Sequence, residues 1–166
     1  MGKRAFVWIV LIFMILSCDK GLEPPTVRTG FGGTVTFQQG TWPSVPDSIT
    51  SLLVVASQVF PLDSASVYNG LLANPPYVFL ETLLEGTAAA VPHDSVNYEV
   101  TVPPTTYYYI GVIQRIGQSL SISNLRVVGL YVDSLSQRKV LTVGEEEFIQ
   151  GVNMHADFYN PPPQPF

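Results

Sequence analysis

The sequence predicts an all-β chain: a single antiparallel β-sandwich of about seven or eight short strands, preceded by a cleaved leader and a flexible tether. Three observations predict it. Only 13% of the residues are charged, and Val, Ile, Tyr and Thr are plentiful, which suits pleated surfaces better than helices. No long stretch shows a 3.6-residue apolar period, whereas several alternate strictly. Gly and Pro clusters interrupt the alternating runs at short intervals, as turns between strands do.

At the N-terminus, Lys3 and Arg4 precede an unbroken apolar run from Ala5 to Leu16, followed by Ser17, Cys18 and the polar Asp19-Lys20-Gly21. The run is shorter than the ~20 residues a bilayer-spanning helix needs. Residues 1–17 therefore read as a secretory signal peptide that is removed. Ile15-Leu16-Ser17-Cys18 contains the chain's single cysteine and resembles a bacterial lipobox. The resemblance implies cleavage between Ser17 and Cys18 and a diacylglycerol on the Cys18 sulfur. At ~0.8 kcal/mol per buried methylene, several acyl chains hold a protein stably on a membrane. The expected location is the bacterial cell envelope, with the outer membrane preferred and the domain facing the periplasm or cell surface. Residues 18–33, with Pro24-Pro25 and several glycines, read as a tether.

The domain is expected over residues 34–159. Thr34 to Phe37 alternates and starts it. A proline-rich loop, Trp42-Pro43-Ser44-Val45-Pro46-Asp47, leads to Ile49–Val59, a near-continuous apolar run that reads as a strand buried on both faces. Ala65 to Leu72 allows one or two helical turns before a strand from Tyr77 to Leu83. The clearest alternation is Ser95 to Val102, with Val96, Tyr98, Val100 and Val102 on one face. Thr106–Arg115 pairs with it across Pro103-Pro104-Thr105. Asn124–Val132, Lys139–Val143 and Gly151–Phe158 complete the set, the last with Val152, Met154, Ala156 and Phe158 inward. Residues 160–166, rich in proline, read as an extended tail outside the sheet. A membrane-spanning barrel fits poorly, because the outward positions of the best strands are Ser, Asn, Glu, Thr, His and Asp.

The segment Tyr98-Glu99-Val100-Thr101-Val102-Pro103-Pro104-Thr105-Thr106-Tyr107-Tyr108 resembles the strand, turn and Tyr segment of carboxypeptidase-regulatory-like (prealbumin-like) domains, and the stretch from Val143-Gly144 to Phe158 is similar to their closing strand. The resemblance implies a sandwich fold and an accessory or interaction role, with no catalytic residues to carry over. Thr105 stands where that family usually has glycine.

Charge and motifs narrow the function. Loss of Lys3 and Arg4 with the leader leaves six basic residues against 13 acidic ones, a formal charge of −7. Such a surface repels phosphate backbones and argues against nucleic-acid binding. One cysteine excludes an internal disulfide. Neither His93, in a turn, nor His155 has the setting of a catalytic base, and no Gly-x-Ser-x-Gly elbow is present. His155 and Asp157, two apart on a strand, share a face with Asn153, but zinc usually takes three protein ligands and no further histidine is at hand. Glu145-Glu146-Glu147 lacks the alternating acidic pattern of an EF-hand and reads as a solvated turn. No metal or cofactor is therefore expected. In Tyr107-Tyr108-Tyr109, alternation places Tyr107 and Tyr109 on one face. With Trp42 they form a candidate sugar-stacking platform, against the plainer reading that both sets of tyrosines pack, one in the core and one under a loop. The leading expectation is a lipid-anchored envelope accessory module without catalytic activity that binds another envelope protein. The alternative is a glycan-binding module using the exposed aromatics.

Overall fold

The computed structural model describes residues 28–43, 49–117 and 121–165. The signal peptide, Cys18, residues 18–27 of the tether and residues 44–48 of the Trp42 loop lie outside the described residues. In chain order the elements are β1 (Gly30–Phe37), β2 (Ser51–Ser57), α1 (Ser64–Leu72), β3 (Val78–Glu85), β4 (Ser95–Thr101), β5 (Thr106–Tyr107), β6 (Tyr109–Arg115), a 3-10 turn (Ile122–Asn124), β7 (Leu125–Leu130), β8 (Leu141–Thr142), β9 (Phe148–Ile149) and β10 (Met154–Ala156). Among the described residues the structure is all-β apart from one short helix and that turn. No helix among the described residues is long and apolar enough to cross a membrane.

The main sheet runs β3-β2-β6-β7-β10-β1-β4, with β9 also on β1, and β5 pairs with β8 in a small separate ladder. It is mixed, which corrects the expectation of purely antiparallel pairing. β1 is antiparallel to β4, from Gly30 opposite Thr101 to Thr36 opposite Ser95, but parallel to β9 and β10. β9 and β10 are two pieces of one path along β1, broken at Gly151, whose φ of +82° is a left-handed conformation that favours glycine.

β1 begins four residues before Thr34, so Gly30–Gly33 belong to the sheet rather than to the tether. The reason is close packing of backbone. A Cβ on Gly33 would run into the Val152 carbonyl, so glycine here marks proximity and not looseness.

β2 is buried along its whole length, as its apolar run predicts. Leu52, Val54 and Ala56 face a core shared with Phe31, Val35 and Phe37 of β1, Tyr98 and Val100 of β4, and Met154 and Ala156 of β10. Strands far apart in the sheet can share side-chain contacts only if the sheet curls. Leu53 and Val55 face a second core with Leu62, Val67, Val78, Tyr109, Ile113, Leu125 and Val127. α1 covers this outer face. Asp63 caps it, accepting from the Ser66 amide at 2.6 Å while its own amide donates to Ser66 Oγ at 2.8 Å. Val67 is buried beneath the helix, and Gly70 lets Tyr77 and Val78 lie against it. Burial of each large aliphatic side chain in these layers contributes roughly 1.5–3 kcal/mol before entropy is charged against it.

The last strand keeps its expected pattern: Val152, Met154, Ala156 and Phe158 are all buried. Beyond it the proline-rich tail does not simply hang in solvent. β10 leaves β7 after Ala156 opposite Gly129, and the Gln164 carboxamide takes up pairing further along. Its Oε1 accepts from the Val127 amide at 2.8 Å and its Nε2 donates to the Val127 carbonyl at 3.0 Å.

Candidate functional site

The three aromatic residues proposed as a stacking platform do not form one. Tyr107 is fully enclosed (0% exposed) in the inner core, and Tyr109 (2% exposed) lies in the outer one. Alternation is lost between them because Tyr107 ends β5, paired with β8, whereas Tyr109 begins β6, paired with β2. Only Tyr108, at the junction, is exposed. The Tyr107 hydroxyl donates to the Pro103 carbonyl at 2.8 Å, and burial pushes its pKa up to about 12. Trp42 is half-buried against the inner core, packed edge-on to Phe37 at 5.0 Å and Phe158 at 5.1 Å, with His93 at 5.6 Å. These flat faces are occupied by protein, which leaves the packing interpretation of the tyrosines.

The polar candidates also serve the fold. His93 Nε2 lies 2.8 Å from the Ala88 carbonyl oxygen and pins the turn after β3. His155 Nδ1 lies 3.2 Å from Thr36 Oγ1 across the parallel pair. Asp157 accepts from the Tyr159 and Asn160 amides at 2.8 and 3.0 Å. The Asn160 amide, ahead of the other contacts, holds the Asp157 carboxyl below its ordinary range. Asn153 Oδ1 accepts from the Thr34 amide at 3.0 Å. Glu147 accepts from the Gly144 amide at 2.7 Å and closes the acidic turn, while its carbonyl takes the Gly30 amide. Among the described residues no three His, Cys, Asp or Glu side chains gather to hold a metal ion.

A shallow groove of about 640 Å³ crosses the outer face of β4 and β1, lined by Thr34, Asn97, Glu99, Gln150 and Asn153. Its polar groups already engage one another: Thr34 Oγ1 donates to Asn97 Oδ1 at 2.8 Å, and Arg28 pairs with Glu99 at 3.2 Å. It is a water-washed surface with no buried group left wanting.

A different place, which no local sequence pattern marks, holds an unbalanced charge. The guanidinium carbon of Arg138 sits 3.2 Å from the centre of the Phe60 ring. Phe60 in turn stacks on Tyr109, with centroids 6.0 Å apart and planes 9° from parallel. Arg138 Nε and the Tyr109 hydroxyl are both buried without a hydrogen-bond partner among the described residues. Burial pushes the Tyr109 phenol well above its ordinary range, against the lowering effect of Arg138. Phe60, Arg138 and Tyr109 come from a loop after β2, the segment before β8 and the start of β6, so only the folded chain assembles them.

Compared with models of known protein families, with curated proteins and with solved structures, the chain matches none.

Proposed function

We propose that this protein is a lipid-anchored interaction module of the bacterial cell envelope, held to its membrane by acyl chains on Cys18 and working by binding another envelope protein rather than by catalysis. The observation that carries this reading is the N-terminal order of residues: Lys3 and Arg4, the apolar run Ala5–Leu16, Ser17, and then the only cysteine, followed at once by polar residues. The described domain begins at Arg28, a short span beyond Cys18. The two halves of the curled sheet, β3-β2-β6-β7 and β10-β1-β4, serve in this reading as the layers of a sandwich, because both send side chains into one core. The absence of catalysis is part of the proposal; what supports it is that His93, His155, Asp157 and Glu147 are each spent on a structural contact.

The test is the intact mass of the membrane-extracted protein and of its Cys18→Ala variant. A wild-type chain beginning at Cys18 with added acyl mass, and a variant lacking that mass, is the expected result. A wild-type chain without lipid overturns the anchor.

A further inference from the structure

β3 ends the main sheet and is paired on one side only, with β2. Just ahead of it the Gln58 amide donates to the Tyr77 carbonyl at 3.0 Å. Because antiparallel pairs alternate, Phe79 and Glu81 then turn their backbone groups to β2, and Val78, Leu80 and Thr82 turn theirs away. Among the described residues no hydrogen bond reaches β3 from that far side. A row of backbone donors and acceptors of this kind has one fitting complement, another extended main chain.

Space alongside the strand is open. Phe79 packs on the inner core, with Tyr107 at 6.0 Å, and Val78 and Leu80 pack on the outer one. Alternation gives Glu81 the inward side of Phe79, yet both Glu81 and Thr82 are exposed. An inward-turned carboxylate stays exposed only where the curled sheet does not close over it, and β4, the other edge, approaches β3 but forms no ladder with it. The two edges also differ in what they leave uncovered. On β4 the inward Tyr98 and Val100 are already buried, whereas on β3 Phe79, Leu80 and Leu83 remain half-buried. A strand added to β3 therefore gains apolar contact as well as hydrogen bonds.

We propose that the Val78–Thr82 stretch of β3 takes up an extended segment of a partner protein as an additional antiparallel strand, with a Lys or Arg opposite Glu81 and β-branched residues around it. Glu81 sets the charge. Among the described residues it joins no ion pair, and opposite charges directly across a ladder attract where like charges repel. This argues against a second copy of the chain, which brings its own Glu81 to the edge and is strongly acidic throughout. The chain's own tether is a poor occupant, because Pro24 and Pro25 have no amide to give a ladder. The register shift between Leu52 and Leu53 of β2 places a bulge after Thr82, which confines regular pairing to Val78–Thr82. This rests on the interaction-module reading and names its surface.

The experiment uses the full-length chain in a zwitterionic detergent and follows the β3 amides by NMR. In the free protein the Leu80 and Thr82 amides should exchange with solvent roughly tenfold faster than those of Phe79 and Glu81. Two blocked peptides are then titrated, Thr-Val-Thr-Lys-Thr-Val-Thr and the same sequence with Glu in place of Lys. The expected result is a saturable shift at Leu80 and Thr82, with the lysine peptide bound roughly fivefold more tightly. In Glu81→Lys, a change at an exposed position, the order of the two peptides reverses. Methylating the backbone nitrogens of the two threonines beside the lysine removes donors the edge needs and should abolish binding. Protected Leu80 and Thr82 amides in the free chain, no saturable shift, equal affinity for the two peptides, an order unchanged in Glu81→Lys, or undiminished binding of the methylated peptide overturns the proposal. So does protection that grows with protein concentration, which would make the occupant a second copy. The titration reads β3 whether or not Cys18 is acylated. An unlipidated chain that still prefers the lysine peptide keeps the surface and loses the anchor, and a lipidated chain that binds neither peptide does the reverse.

Discussion

Two tyrosines that look alike in the sequence should respond with opposite sign to the same substitution. Tyr98 and Tyr109 are both nearly inaccessible, and for both burial pushes the phenol well above its ordinary range. They differ in one atom's company. The Tyr98 hydroxyl donates to the Val152 carbonyl at 2.6 Å and ties β4 to the segment between β9 and β10, whereas the Tyr109 hydroxyl has no hydrogen-bond partner among the described residues. Tyr98→Phe removes a buried hydrogen bond and leaves a carbonyl with less satisfaction, a loss of about 1–2 kcal/mol. Tyr109→Phe removes a hydroxyl that was dehydrated without compensation, so stability should stay level or rise by about 1 kcal/mol. Neither change alters ring volume, so cavity effects are small. Urea unfolding followed by circular dichroism, with the slope unchanged, separates the two variants by a gap of about 2 kcal/mol. If Tyr109→Phe costs as much as Tyr98→Phe, the hydroxyl is satisfied in solution. The description of Arg138 and Tyr109 as an unmet pair would then be wrong.

Alkaline pH offers a second measurement. The ordinary tyrosine value is 10.0, and burial raises Tyr98, Tyr107 and Tyr109 above it. Above about pH 10 the unfolded chain gives up phenolic protons that the folded chain keeps, so stability is full below that pH and falls as pH rises towards the folded values. Urea midpoints measured against pH should decline from about pH 10 upward, and a flat profile there would contradict the burial of these rings. Gln164→Ala should release the Val127 amide and carbonyl, with faster hydrogen exchange at Val127 and a loss of about 1 kcal/mol. Unchanged exchange at that amide would mean that the tail is not docked.

What the sequence made legible was whatever depends on a single strand. β4 alternates over Ser95–Thr101 because one face is core and the other solvent. β2 reads as doubly buried because it lies between β3 and β6 with a layer on each side. The α1 segment and the inward set of β10 were equally readable. Features that depend on two chain segments meeting were not. Glycines in β1 look like linker until the Val152 carbonyl is seen against Gly33. The parallel placement of β10 on β1 has no local signature, since parallel and antiparallel ladders use the same side chains. Tyr107 and Tyr109 fall to different cores because the chain changes sheet between them, and a two-residue period holds only within one strand. The Arg138–Phe60 contact joins residues far apart in the chain, each unremarkable in its own surroundings.

The mixed pairing of β1 also decides how the domain answers a pull. Tension entering at Arg28 runs straight into β1 along its axis. The strand is held on one side by an antiparallel ladder to β4 and on the other by β9 and β10 lying in the same direction as itself. Hydrogen bonds on both flanks are then loaded lengthwise and together, instead of being peeled open one rung after another from a free end.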